Sequence, residues 1–247
     1  MTVPNPTRWL VVNADDFGQT AGVNRGIMEG HEHGIVTSAS LMVHWPAATA
    51  AAEYARSHPS LGVGLHIDLG EWAYRGGEWV ALYEVVPRDD ATAAAAEIAR
   101  QLDAFRRLVG RDPTHLDSHQ HVHRDPPVRE IALAMAEQLG VPLRHFTRGV
   151  TYCGQFYGQT GKGESYPEAI RPEALIDLIR GLPVGLTELA CHPARGSDVD
   201  SMYRTEREIE LVALCDPRVR AEVEDAEIEL VSFGRWKMPT PRRLPGC

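Results

Sequence analysis

Cysteine is scarce in this chain: four occur among 247 residues, at positions 153, 191, 215 and 247, and no two share a short spacing. Neither a disulfide framework nor a thiolate zinc site is suggested, and free thiols are the expectation. Positive charge is also in deficit, since 25 Lys and Arg against 34 Asp and Glu give a formal net charge of -9. Such a chain offers no basic field to nucleic acid or to an anionic membrane surface. No apolar run approaches the roughly 18 residues of a membrane helix. Residues 1–8 run straight into a strand pattern with no secretory signal, so a cytoplasmic protein is expected. Internal repeats are missing, and so are a Gly-rich phosphate loop and an Arg/Lys cluster near the polar strand ends.

What is present is a core. With 43% hydrophobic residues, the chain can bury a sizeable interior, and a single domain over 1–247 is expected. Its organising stretch is Trp-Leu-Val-Val-Asn-Ala-Asp-Asp-Phe-Gly at 9–18, where an apolar run stops at two adjacent carboxylates. Leu10, Val11 and Val12 read as a strand covered on both faces, so Asn13, Asp15 and Asp16 fall where α/β folds place their chemistry. Two neighbouring carboxylates repel, and a cation is the simpler way to hold both in a semi-buried site. Both can face one pocket only if the chain turns there, a turn that Gly18 makes easy.

Helical periodicity is expected over 23–33, 47–57, 91–109, 127–139, 172–181, 206–214 and 218–226. Strands are expected over 35–43, 61–69, 114–118, 143–146, 187–191 and 229–233. Residues 70–90 read as a loop rich in Trp, Tyr and Gly. The segment 147–170, too long for an ordinary connection, reads as a lid or binding loop. The tail reads as an irregular, basic, proline-rich surface segment. Strand, polar tip and helix in alternation point to an α/β fold, a distorted or incomplete TIM-like (β/α) barrel of about seven parallel strands, with ligands drawn from several strand ends.

His119, His121 and His123 alternate after Asp117; in an extended segment all four share one face, a dense set of metal ligands of which only some can reach one ion. A histidine-rich loop can also be plain polar surface. His66 alone is the kind of histidine that a core absorbs by hydrogen bonding, but it sits at a strand tip, and Asp68 two residues on is expected to orient its imidazole. Helix capping is the bland reading of Asp15 and Asp16, yet the helix begins too far away for either. His192, before Pro193, arrives from another strand end. Tyr203, Arg207 and Arg148 are assigned no role. Trp72, Tyr74, Trp79, Tyr152, Phe156 and Tyr157 can stack on sugar rings or form satellite cores or a dimer contact.

Asn-Ala-Asp-Asp-Phe-Gly at 13–18, Gly-Ile-Val-Thr-Ser at 34–38, Gly-Leu-His at 64–66, Thr-His-Leu-Asp-Ser-His-Gln-His-Val-His at 114–123 and Glu-Leu-Ala-Cys-His-Pro at 188–193 together resemble the YdjC-like carbohydrate deacetylases. The resemblance runs from about residue 8 to 233. It implies a distorted barrel, one divalent cation (Mg2+ or Zn2+), and hydrolysis of the N-acetyl group of a chitooligosaccharide-like sugar. Carried over residue by residue, it implies Asp16, His66 and His119 as metal ligands, Asp15 as catalytic base and His192 as catalytic acid, with His123 in reserve as a ligand. A small N-acetylated saccharide is the implied substrate and a homodimer the expected assembly. Where this family usually has glycine after His-Pro, the chain has Ala194 and Arg195. A different metallohydrolase on the same scaffold, such as a phosphoesterase, is the rival reading.

Overall fold

Leu10, Val11 and Val12 have no solvent exposure, as an unbroken apolar run flanked on both sides requires. They lie in β1 (Arg8–Phe17). The computed structural model describes residues 7–196, 198 and 203–236; the expected basic tail and Cys247 lie outside them. In chain order β1 is followed by α1 (Ala21–Glu32), β2 (Ser38–Leu41), α2 (Ala48–Ser57), β3 (Gly62–Ile67), β4 (Gly70–Arg75), β5 (Glu78–Glu84), α3 (Ala91–Val109), β6 (Leu116–Ser118), α4 (Val128–Leu139), β7 (Val150–Cys153), α5 (Pro172–Arg180), β8 (Gly185–Cys191), α6 (Thr205–Leu214), α7 (Pro217–Asp225) and β9 (Ile228–Leu230).

Seven of the strands form one sheet in the order β6-β3-β2-β1-β8-β7, with β9 also pairing β1, and every pairing in it is parallel. Among the described residues nothing pairs β6 with β7, so the sheet curls into a half-barrel rather than closing, as the expected incomplete barrel requires. The strand set differs from expectation in three places. Residues 143–146 make only one bridge, Leu143 to Leu116, because Pro142 has no N–H to offer and His145 turns the chain with φ +69°. The seventh strand is instead β7, inside the stretch read as a lid. Residues 70–90 hold the antiparallel hairpin β4–β5, whose turn is Gly76-Gly77, both at positive φ, a hairpin signal that the loop reading passed over.

Period-two alternation sorts the sheet's side chains. Leu10, Val12 and Ala14 belong with Leu41, Val63, Leu65 and Leu189 to the main apolar cluster under the helices. Val11, Asn13 and Asp15 alternate with them, and Val11 packs in a separate cluster with Leu186 and Phe233. The concave side of the half-barrel is thus apolar at the strands' amino ends and polar toward their carboxyl ends. There Asn13 donates from Nδ2 to Asp15 Oδ1 at 2.9 Å and to Ser40 Oγ at 2.8 Å.

One close approach fixes the end of β8. A Cβ on Gly26, in α1, would lie 2.4 Å from Ala194 Cα, so the helix backbone rests directly on the segment that carries His192. Gly26→Ala is expected to cost about 1–3 kcal/mol of stability through overpacking, read as a lowered melting temperature; an unchanged melting temperature would show that the helix can retreat freely.

A candidate metal centre at the strand ends

Asp15 and Asp16 are 3% and 1% exposed and lie inside β1 rather than after it. They reach one pocket because the pairing of β1 with β2 shifts register between Ala14 and Phe17, and because Asp16 takes φ +66°. The chain turns at Asp16 itself, in a left-handed conformation that a non-glycine residue adopts at a cost and that clusters at functional sites, and again at the expected Gly18, with φ +93°.

Asp16 Oδ1 accepts from His119 Nδ1 at 3.0 Å and faces His66 Nε2 at 3.4 Å. His66 donates from Nδ1 to Asp117 Oδ1 at 2.7 Å. The expected orienting partner, Asp68, is elsewhere: it accepts from Trp45 Nε1, Gly70 N and Tyr83 Oη. Cross-strand pairing is the reason, since His66 and Asp117 are register partners on β3 and β6. Burial lowers the affinity of both imidazoles for a proton, but Asp117 lifts His66 to about 9 and Asp16 holds His119 well above the usual histidine range.

The alternation expected of 117–123 as an extended segment does not occur. After Ser118 the chain enters a 3-10 turn (His119–Arg124) in which Gln120 and His121 have positive φ, and Gln120 is clamped on the backbone of Trp72 by two hydrogen bonds of 2.8 and 2.9 Å. Only His119 is delivered to Asp16. His121 lines the same pocket and meets the Tyr152 hydroxyl at 3.2 Å. His123 has both nitrogens engaged, accepting from Ser118 Oγ and donating to the Arg144 carbonyl, away from Asp16.

The ligand atoms of Asp16, His66 and His119 lie within 4.8 Å of one another, all buried. Asp15, His66 and Asp117 meet the same distance, but Arg144 already occupies both Asp15 oxygens, whereas Asp16 keeps Oδ1 turned to the imidazoles. Among the described residues His119 Nε2 is buried with no hydrogen-bond partner, the nearest carboxylate oxygen being Glu71 Oε2 at 3.7 Å. One carboxylate and two imidazoles in a buried cluster suit a divalent cation.

Two arginines supply countercharge that no sequence spacing suggested. Arg144 donates to Asp15 through Nη1 and Nη2 at 2.6 and 2.8 Å, to Glu188 through Nε at 2.8 Å, and stands 2.9 Å from Asp117. Arg207, left unassigned above, donates from Nη2 to Asp16 Oδ2 at 2.5 Å. Burial raises the proton affinity of both aspartates, yet Arg144 draws Asp15 below the usual carboxylate value and Arg207 with His119 draws Asp16 well below it. Glu188 keeps a raised value of about 7, because burial outweighs its share of Arg144. One signal was available: a glutamate inside the apolar strand 186–191 demands a buried partner.

His192 follows β8. Its Nε2 lies 3.8 Å from Asp15 Oδ2 and its Nδ1 3.8 Å from Glu210 Oε1. Its backbone N–H is held by Glu210, which also accepts from the Tyr203 hydroxyl. Tyr203 stacks on Tyr157 at 4.5 Å and 5°. Together Asp15, Asp16, His66, His119 and His192 line a cavity of about 330 Å3. Of the aromatic candidates, Tyr152, Phe156 and Tyr157 line it; Trp72, Tyr74 and Trp79 do not.

These features define a parallel α/β half-barrel with a carboxylate and imidazole centre, fit for a metal, at the carboxyl ends of its strands. The chain belongs to the YdjC-like protein family, whose model matches residues 9–225. It is 35% identical over 248 residues to a carbohydrate deacetylase of Geobacillus stearothermophilus, covering 92% of this chain and 97% of that one. It is 32% identical over 256 residues to a chitooligosaccharide deacetylase of Serratia marcescens, covering 91% and 97%. A crystal structure from Enterococcus faecalis V583, assigned provisionally to cellobiose-phosphate cleavage, superposes with a TM-score of 0.72 at 26% identity, covering 92% and 98%. Among the described residues no helix is long and apolar enough to cross a membrane.

Proposed function

We propose that this chain is a metal-dependent carbohydrate N-deacetylase, removing the N-acetyl group of a chitooligosaccharide-like sugar such as diacetylchitobiose. The observation that carries the reading is the convergence of Asp16, His66 and His119 from three strand ends, with Asp15 and His192 beside them on one cavity. The deacetylases named above, similar over nearly the whole chain, set the reaction class.

Asp16, His66 through Nε2, and His119 would hold the cation, with Mg2+ or Zn2+ as the candidates. A divalent ion with three protein ligands supplies Lewis-acid polarisation and an acidified water. Asp15, held ionised by Arg144, takes a proton from the attacking water. His192, 3.8 Å from Asp15, donates a proton to the departing amine, which is otherwise too basic to leave. Each such positioned transfer is worth roughly 10² to 10⁴ in rate. Tyr157, stacked on Tyr203 and 37% exposed at the cavity, offers a face for a sugar ring. Phosphoester hydrolysis draws no support from the site, because Arg144 and Arg207, the cations it would need, are bound to Asp15, Glu188 and Asp16.

Acetate release from N-acetylglucosamine mono-, di- and trisaccharides, with and without chelator, tests the reading. Turnover is expected to vanish with chelator and return with Mg2+ or Zn2+. Asp16→Ala and His66→Gln are each expected to purify with little metal, measured by elemental analysis; full metal content in both would remove them as ligands.

A further inference from the structure

The opposite end of the sheet carries a second polar pocket. Thr37 immediately precedes β2 and Ser60 lies two residues before β3, so the cavity they line, about 210 Å3, opens at the strands' amino ends, away from the carboxyl-end centre. His31, Arg220, Ser232 and Arg235 complete its polar lining, and no carboxylate contributes to it. Of the exposed arginines elsewhere, Arg218 binds Asp216 and Glu173, Arg180 binds Glu222 and Arg195 binds Glu29, whereas Arg25 and Arg56 donate to backbone carbonyls. Among the described residues the Arg220 side chain donates to the Gly34 carbonyl and to no carboxylate, and the Arg235 side chain has no hydrogen-bond or ion-pair partner.

A second observation is independent of charge. Ser232, 4% exposed, has its hydroxyl buried without a hydrogen-bond partner among the described residues, a cost that native structures rarely carry unless something absent satisfies it. Ser60 Oγ stands 3.3 Å from His31 Nε2 at the same pocket. Two guanidiniums without carboxylates, beside hydroxyl groups, match a tetrahedral oxyanion: the guanidinium fork takes two oxygens and the hydroxyls take others.

We propose that this amino-end pocket is a binding site for a phosphate-class oxyanion, either inorganic phosphate or the phosphoryl group of a phosphate monoester, separate from the candidate metal centre. Calorimetric titration of the full chain in chloride buffer, with inorganic phosphate and with glucose 6-phosphate as probes, tests it. Saturable binding is expected, weakened by about tenfold or more in Arg235→Glu, the worth of a lost charge-assisted hydrogen bond. A smaller loss is expected in Ser232→Ala. Among the described residues the Arg235 side chain makes no polar contact, so Arg235→Glu is expected to melt like the parent protein. The probe whose binding depends on Arg235 identifies the source of the phosphoryl group. Absence of saturable binding by either probe, or binding that Arg235→Glu leaves unchanged, as an anion caught at the metal centre would give, overturns the proposal.

Discussion

Asp15→Asn is expected to leave the protein folded and its metal content intact while acetate release falls by roughly 10² to 10⁴. The substitution keeps shape and removes charge and basicity at one position. Asp16, His66 and His119, the three proposed ligands, are untouched, so metal analysis and activity should separate. The same separation is not open to Asp16→Ala, which deletes a proposed ligand and also leaves Arg207 without its carboxylate. A variant that holds metal and still turns over at the parental rate would strip Asp15 of its role as base. It would transfer the proton-accepting task to another group on the cavity, of which His192, 3.8 Å away, is the nearest candidate.

The second large effect belongs to Arg144→Met. Arg144 is 3% exposed and stands against Asp15, Asp117 and Glu188. Methionine fills part of its volume and leaves three buried carboxylates without their shared cation. Removing one member of a buried charge cluster costs about 3–5 kcal/mol, which for a chain of this size lowers the melting temperature by something on the order of 10 °C. The sign of the pH dependence follows from the carboxylates. With Arg144 present, Asp15 and Asp117 lie below the ordinary carboxylate value, so their ionised forms stabilise the fold above that value, and this contribution fades in acid. Without Arg144 their folded values rise above the unfolded ones, and stability is lost as pH climbs through them. The deficit of Arg144→Met should therefore be smallest near pH 3 and grow as pH rises through the ordinary Asp value of about 4 toward neutrality. Denaturant melts at both ends of that range measure it. A deficit independent of pH would mean that the loss is one of packing alone.

Both effects rest on groups that the sequence reading valued unequally. Asp15 is marked by its place at the end of an apolar run. Arg144 carries no mark, because its three partners lie 129, 27 and 44 residues away along the chain. Two adjacent carboxylates call for countercharge, and here each aspartate has its own guanidinium. The cation site is instead supported by the oxygen of Asp16 and the imidazole nitrogens that face one another. Asp68 shows the same limit. Period-two geometry puts it on the face of His66, but a strand neighbour across the ladder lies closer than a residue two places along, and Asp117 takes the bond.

What the sequence determined by itself was everything set by local periodicity and short-range chemistry: parallel strands broken by helices, polar residues collected at strand ends, and the residue types able to hold a metal and move protons. What only the tertiary structure decided was which of those residues meet. The left-handed turn at Asp16, the kink at 120–121 that delivers His119 and withholds His123, and the register of β3 on β6 all depend on pairings across dozens of residues. No window of neighbouring residues encodes such a pairing, because the free energy that selects it comes from contacts formed only when the sheet has assembled.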